Sequence, residues 1–201
     1  MFRIGKIVAD PGLLLAPMED VSDLPFRMIC KEMGADIVYT EFVNAEGLVR
    51  KGPKNSRRLA VKLKFLPNER PLGIQLYGAS EDTLERATEI ANTLEPDLID
   101  INCGCWVSNV ALRGAGAGLL KDLPRFQRVA QKVVCSTSLP VTVKTRLGWD
   151  AESIQILEVG RMLEDVGIQA LTVHCRTRAQ GHKGPVDYRW ITRLKRTVSI
   201  P

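Results

Sequence analysis

Short apolar segments alternate with amphipathic segments along most of this chain. Seven of the apolar segments have the length and composition of buried strands. They predict strands at 13–16, 36–40, 72–77, 97–101, 141–144 and 170–174, and the start of a seventh strand at 198–201. The segments between them predict helices at 22–33, 80–94, 123–138, 151–166 and 188–196. Ser22 or Asp23 is expected to cap the first of these helices, and Ser80 the second.

Strands that alternate with helices in this way indicate βαβ units and a parallel sheet. Two α/β architectures fit that pattern: a doubly wound sheet and a (β/α)8 TIM barrel. A doubly wound sheet collects its ligand groups at one switch point, whereas the mouth of a barrel receives groups from the end of every strand. Here nearly every predicted strand ends in a polar or reactive residue. These residues are Met18, Glu19, Glu41, Gln75, Asn102, Cys105, Lys144, Arg146, His174 and Arg176.

The sequence therefore predicts a (β/α)8 barrel that is incomplete, with about six βα units and the start of strand 7. A typical barrel needs about 250 residues, and the chain has 201. We expect a fragment or a truncated product whose open sheet edges invite a partner or aggregation.

Charge adds a candidate partner to this picture. The formal net charge is +5, but seven bases and no acid lie between positions 50 and 64, and seven more bases with one acid lie between 176 and 196. One basic run is usually a solvated surface, whereas two runs favour a polyanionic partner, with RNA or DNA first.

Other features of the composition indicate a cytoplasmic protein. No apolar run approaches the roughly 20 residues that a membrane span requires, and the first residues do not resemble a secretory signal. The five cysteines are odd in number and scattered, which indicates reduced thiols rather than disulfides.

Two strand-end side chains have both a structural and a functional interpretation. Lys144 closes an apolar strand, where it either pairs with an acid such as Glu41 or Asp100 or faces an anionic ligand. The Gln75 amide either bridges backbone groups or binds the edge of a heterocycle, since it offers a donor and an acceptor side by side.

His174 and Arg176 follow the sixth predicted strand, two residues apart. A histidine at a strand end is often a structural group. Beside an arginine, it is also suited to holding a phosphate.

The cysteines of the loop after the fourth strand have three possible roles. A zinc site does not fit, because the Cys103-Gly-Cys105 spacing is tight and no second ligand pair exists, so no metal is expected. A nucleophile requires a paired base, and His174 is two strands away. A thiol with a pKa of about 8.5 is protonated near neutral pH and can serve as a general acid. The glycine-rich stretch at 114–118 is interpreted as a close-packed turn that lets the backbone approach this loop.

Six segments, in order along the chain, resemble motifs of the tRNA-dihydrouridine synthases, a family of flavoenzymes built on a (β/α)8 barrel with a helical domain behind it. They are 16–27 (APMEDVSDLPFR), 73–78 (GIQLYG), 100–105 (DINCGC), 114–120 (GAGAGLL), 143–149 (VKTRLGW) and 172–177 (TVHCRT).

The resemblance implies a reaction and a set of site residues. FMN would be the cofactor, NADPH the reductant and tRNA the substrate. The C5–C6 double bond of a uridine would be reduced, with Cys105 as the proton donor. FMN would contact Ala16, Pro17, Met18, Gln75, Lys144 and His174, and the RNA would contact Asn102, Arg146 and Arg176.

The resemblance has two departures and leaves two rival functions. Trp106 stands where the family usually has proline, which affects the conformation of the Cys105 loop. Residues 1–201 correspond to the N-terminal part of the family's barrel, and its phosphate-binding loops and helical RNA-binding domain would lie beyond Pro201. The rivals are an FMN barrel that reduces a small pyrimidine, as dihydroorotate dehydrogenases do, and an inactive or merely RNA-binding fragment.

Overall fold

A computed structural model describes all residues from Met1 to Pro201. Its strands are β1 (Phe2–Ile4), β2 (Ile7–Ala9), β3 (Val38–Tyr39), β4 (Val43–Asn44), β5 (Leu72–Tyr77), β6 (Leu98–Cys103), β7 (Val141–Arg146) and β8 (Ala170–His174). Its helices are α1 (Leu24–Glu32), α2 (Ala45–Lys51), α3 (Arg57–Leu63), α4 (Glu81–Asn92), α5 (Ser108–Ala111), α6 (Leu123–Cys135), α7 (Ile156–Asp165) and α8 (Arg189–Lys195). Two 3₁₀ turns lie at Pro67–Glu69 and Gly116–Lys121.

The main sheet is parallel, and its strands follow one another in chain order. The order is β3-β5-β6-β7-β8, and β4 continues the line of β3 along the same edge of β5. A doubly wound sheet would reverse its strand order at a switch point, and no reversal occurs here. The fold is therefore α/β and is that of an incomplete (β/α)8 barrel, as predicted.

The first and the seventh predicted strands are present only as extended segments. At the first, Leu14 forms a single parallel bridge with Ile37. At the seventh, the Leu171 N–H donates to the Pro201 carbonyl over 2.9 Å. Both segments lie where the next strands of a barrel belong.

Most predicted helix positions are confirmed, and one helix begins later than predicted. Asp23 caps α1 by accepting from the Phe26 N–H, and Ser80 caps α4 by accepting from the Thr83 N–H. The helix predicted from 151 instead begins at Ile156, because the Asp150 carboxylate accepts from the next N–H groups and folds 150–153 into a turn.

The N-terminal hairpin β1–β2 was not predicted from the sequence. Its strands are three residues each and pair antiparallel, with Gly5 at a φ of 55° in the turn. Ile4 and Ala9 are buried against Tyr39 and Ala170, so the hairpin covers the inner face of the sheet at the N-terminal ends of its strands. No helix is both long enough and apolar enough to cross a bilayer.

A buried ion pair connects α1 to the segment before β5. Arg27 Nε lies 2.7 Å from Glu69 Oε1, and both side chains are at most 1% exposed. The Arg27 guanidinium also donates to the carbonyls of Ser22 and Lys64. Ser22 in turn bonds the backbone of Met18 through its hydroxyl. The pair therefore supports the loop that follows the first strand.

We expect Arg27→Ala to lower the free energy of unfolding by about 3–5 kcal/mol, because it leaves the Glu69 carboxylate buried without a counter-charge. Urea unfolding measures this value. Arg128→Ala is the control: it removes an arginine whose pair with Glu81 is exposed to solvent, and it is expected to cost about 0–1 kcal/mol. Equal losses in the two variants would contradict the prediction.

Candidate active site

The inner face of the sheet is polar where β5, β6, β7 and β8 approach their C-terminal ends. The parallel register places Gln75 beside Asp100, Asn102 beside Lys144, and Arg146 beside His174. Residues two apart on a strand share a face, so these side chains gather on one side of the sheet. Sequence analysis treated the strands as apolar runs, but β6 and the first half of β7 alternate polar and apolar residues, and Asp100, Asn102, Thr142, Lys144 and Arg146 share the inner face.

A buried chain of hydrogen bonds crosses from β7 through β6 to β5 and back. Thr142 Oγ1 and Gln75 Nε2 both donate to the Asp100 carboxylate. Asn102 Nδ2 donates to Gln75 Oε1 over 2.9 Å, and Asn102 Oδ1 accepts from the Cys105 N–H over 2.8 Å. Gln75 thus bridges two side chains rather than the backbone groups considered from sequence. The Cys105 loop is fixed by side chains from the sheet.

Asp100 carries an elevated pKa at the centre of this chain. Burial raises the pKa of its carboxyl to about 6, although hydrogen bonds from Gln75 and Thr142 and the charge of Lys144 oppose the rise. The role of Asp100 in fixing Gln75 was missed from sequence, where Asp100 was considered only as an ion-pair partner for Lys144. The alternation along β6 is the signal that could have revealed it.

Lys144 forms neither of the ion pairs considered from sequence. Glu41 pairs with Lys62 instead, at 3.7 Å. Asp100 influences Lys144 without contacting it as an ion pair, and burial prevails, so the pKa of Lys144 is lowered. Its ammonium takes part in none of the hydrogen bonds or ion pairs of the chain.

A small cavity brings Lys144 together with the first of the predicted cofactor residues. Ala16 and Pro17 line this cavity with Lys144, Asp100 and Thr172. Met18 does not line it: its side chain is 38% exposed on the rim, while its N–H donates to the Ser22 hydroxyl, as described above.

His174 is a neutral imidazole among cations. Burial, followed by the charges of Arg146, Lys144, Arg176 and His182, lowers the pKa of His174 to about 4. Arg176 Nη1 lies 3.1 Å from His174 Nε2. Because a guanidinium only donates, Nε2 is the acceptor and Nδ1 carries the proton. His174 and Arg176 are therefore adjacent, and Arg176 also donates to the Gly184 carbonyl. Phosphate binding by this pair stays a prediction.

Arg146 is buried and connects two loops. Its Nε donates to the Gly104 carbonyl over 2.8 Å, and its Nη1 donates to the carbonyls of Thr177 and Gly181. Burial lowers the pKa of Arg146 to about 10, with the nearby Arg176 adding to that effect. The predicted RNA contact of Arg146 would therefore depend on Nη2, its remaining nitrogen.

Cys105 has the properties of a protonated thiol on a fixed loop. Burial raises the pKa of Cys105, and the nearby Glu19 carboxylate raises it further. The Cys105 carbonyl accepts from the Ala117 N–H, and a Cβ at Gly116 would lie 3.0 Å from Cys105 Cβ. The prediction that the glycine turn approaches the loop is confirmed. Cys103 is completely buried, and burial raises its pKa well above the ordinary value.

Trp106 joins the Cys105 loop to the loop after β8. Its indole N–H donates to His182 Nε2 over 3.1 Å, and its ring packs on Gly181. Arg178 reinforces the junction by donating to the Trp106 carbonyl and to Ser108 Oγ. His182 and Arg178 were missed from sequence, since 70 to 76 residues separate them from their partners.

The sequence of this chain is similar to those of known proteins. The sequence model of the family described as dihydrouridine synthase (Dus) matches residues 14–201. The chain is similar to tRNA-dihydrouridine synthase B of Pseudomonas syringae pv. tomato, with 37% identity over 99% of this chain and 58% of that protein. It is also similar to the probable tRNA-dihydrouridine synthase 1 of Synechocystis sp., with 35% identity over 99% of this chain and 55% of that protein. The chain thus spans a little over half the length of these relatives.

A solved structure supports the fold alone. A variant of NCR from Zymomonas mobilis superimposes with a TM-score of 0.54 and 14% sequence identity, over 100% of this chain and 76% of that one.

We expect the Asp100 carboxyl to make stability fall as the pH rises from about 4 to about 6. The pKa of an aspartate in the unfolded chain is 3.8, and the pKa of Asp100 in the folded chain is about 6. Below that interval both states hold the proton, and above it the folded state bears the full cost of a buried charge, about 3 kcal/mol.

Urea unfolding of the native chain and of Asp100→Asn across this interval measures the effect. The free energy of unfolding of the native chain should fall relative to that of Asp100→Asn as the pH rises, because only the native chain has an ionisable group at position 100. Parallel pH profiles would contradict the assignment.

Proposed function

Because the chain belongs to the dihydrouridine synthase family, we propose that it carries the reaction centre for reducing the C5–C6 double bond of a uridine in tRNA. One observation supports this most directly. A protonated thiol (Cys105), an ammonium without a counter-ion (Lys144) and a neutral imidazole (His174) meet at one rim of the sheet.

The proposed cofactor is FMN, with NADPH as the reductant. The residues present fit such a group, since a largely buried ammonium that has no partner in the chain suits an anionic ligand. FMN, when bound, would supply the hydride that reaches C6 of the uridine. Ala16, Pro17, Met18, Gln75, Lys144 and His174 are the residues proposed to hold it.

Lys144 and Gln75 have defined tasks in this proposal. A positive charge on Lys144 stabilises a reduced, anionic ring. Gln75 is completely buried, with Nε2 donating to Asp100, so its second Nε2 proton can bind a ring oxygen or nitrogen only of a cofactor that packs directly on the amide. His174 offers Nδ1–H as a donor without adding charge.

Cys105 is the proposed proton donor to C5. The raised pKa of its thiol keeps the proton in place at neutral pH. Asn102 holds the backbone of the same loop, so the position of Sγ is set by the sheet. A hydride to C6 and a proton to C5 together balance the reduction.

The proposed RNA contacts differ in how many of their atoms are free. Arg146 and Arg176 already bind backbone carbonyls or His174, so they add positive charge and at most a few further donors. Asn102 is engaged on both ends of its amide. The basic run at 50–64 would supply the less specific grip on the phosphate backbone.

The relatives extend well beyond the matched region, and we propose that residues 1–201 correspond to the N-terminal part of a flavin-binding barrel. The remaining barrel strands and a helical RNA-binding domain would be supplied outside them. All five cysteines are free, which agrees with a reaction in the reducing cytoplasm.

We expect Lys144→Met to weaken FMN binding by about tenfold or more, because it removes a buried charge that faces the ligand. Titration with FMN, followed by the visible absorbance of bound flavin, measures this. Lys132→Met is the matched control, since Lys132 pairs with Glu85 on the outer helices. Unchanged FMN affinity in Lys144→Met would remove Lys144 from the cofactor site.

We expect Cys105→Ala to slow dihydrouridine formation by about 10²–10⁴-fold while leaving flavin binding intact, because a general acid is lost. Mass spectrometry of nucleosides from tRNA incubated with the chain, FMN and NADPH measures the product. Cys103→Ala is the control for loss of a neighbouring thiol that is buried away from the site. Equal rates for the native chain and Cys105→Ala would exclude the thiol as proton donor, and product from free uridine would favour a small-molecule reductase.

A further inference from the structure

A cavity beside the Cys105 loop has the chemistry of a nucleotide site. It is about 220 Å³ in volume and lies at the ends of β4 and β5, between these strands and helices α2 and α3. Among its lining residues are Glu19, Phe42, Arg50, Lys51, Ser56 and Tyr77. Pockets for whole ligands are typically about 300–1,000 Å³, so this cavity suits one unit of a longer ligand.

The cations of this cavity fall into two groups. Lys62 and Arg58 are both committed to Glu19 Oε1. Arg50 and Lys51, in the last turn of α2, are exposed and have no carboxylate within ion-pair distance. Arg58 and Lys62 therefore form ion pairs within the cavity, whereas Arg50 and Lys51 are available to bind an anion.

The remaining lining groups suit the sugar and the base of a nucleotide. Phe42 and Tyr77 stand edge to face, with ring centroids 5.2 Å apart, and form an aromatic wall. The Glu19 carboxylate beside them is occupied by Arg58 and Lys62 through Oε1, so the aromatic rings are the groups free to contact a ligand.

The cavity adjoins the reaction centre. Tyr77 in the cavity wall and Gln75 lie two residues apart on β5 and share a face of the sheet. Gln75 accepts from Asn102, and Asn102 in turn accepts from the Cys105 N–H. Glu19 in the cavity wall directly follows Met18, one of the residues proposed to hold FMN. A ligand in the cavity is therefore next to whatever Cys105 protonates.

We propose that this cavity binds the nucleotide adjacent to the target uridine in the RNA, with its phosphate on Arg50 and Lys51 and its ring against Phe42 and Tyr77. The inference rests on the proposed function. It assigns the neighbouring nucleotide, rather than the uridine itself, to a separate built site. Turning a uridine out of its stack leaves that neighbour unstacked, and an aromatic wall replaces part of the lost stacking.

The test uses the full chain, loaded with FMN, and a short RNA hairpin with one uridine in its loop. Binding is followed by fluorescence anisotropy for the native RNA and for RNAs in which either linkage flanking the uridine is a neutral methylphosphonate. The variant is Arg50→Ala/Lys51→Ala. The matched control is Lys54→Ala/Arg57→Ala, which removes the same charge from the same basic run but outside the cavity.

We expect the Arg50/Lys51 variant to bind the native RNA about tenfold or more weakly, because charged hydrogen bonds to a phosphate are lost. It should also become insensitive to one of the two methylphosphonates, whereas the Lys54/Arg57 control should keep the native sensitivity. FMN binding should be unchanged in both variants, which confirms that they are folded.

Three outcomes would overturn the inference. An equal loss of RNA affinity in both double variants would mean that the basic run attracts the RNA only through its overall positive charge. A raised KM for NADPH with unchanged RNA affinity would assign the cavity to the reductant. Absence of native RNA binding would leave the cavity without its ligand. Failure of the proposed function would look different, as RNA binding without any dihydrouridine.

Discussion

The site depends on one constraint, which is that Asp100, Gln75 and Asn102 must satisfy each other's hydrogen bonds inside the sheet. Each lies on a strand whose neighbours fix its height, so the parallel register sets the geometry. Asn102 then carries that geometry to the Cys105 backbone. Since an unsatisfied buried amide is costly, this arrangement tolerates few alternatives. The position of the Cys105 thiol on its loop is thereby determined by strands.

The loops around the site are also held by arginines whose donors bind other groups of the chain. Arg146 donates to backbone carbonyls in the loops that follow β6 and β8. Arg176 donates to the ring of His174. The accumulated charge in turn keeps His174 neutral. Lys144 is the exception, because its ammonium is held near the site without a partner. Arginines that the chain satisfies and a lysine that it leaves without a partner thus lie side by side at the same end of the sheet.

Local patterns in the sequence predicted most of the helices and sheet strands but not the connections between them. The Asp23 and Ser80 caps, the strand positions and the polar strand ends all follow from neighbours within a few residues. The short hairpin β1–β2 was missed because three-residue strands carry little periodicity. The donors of Arg146 reach carbonyls 31 to 42 residues away, and no local pattern encodes those distances. The alternation along β6 was available in the sequence, but it indicates a polar inner face only once β6 is known to lie inside a parallel sheet.

The bond between the Trp106 indole and His182 couples two positions that are 76 residues apart. Neither side chain retains its contact if the other changes alone. Substitutions at residues 106 and 182 should consequently be correlated among relatives of this sequence. A tryptophan introduced alone into the corresponding loop of a relative would lack the acceptor that His182 provides here. Trp106 and His182 therefore act as one structural unit that joins the two loops.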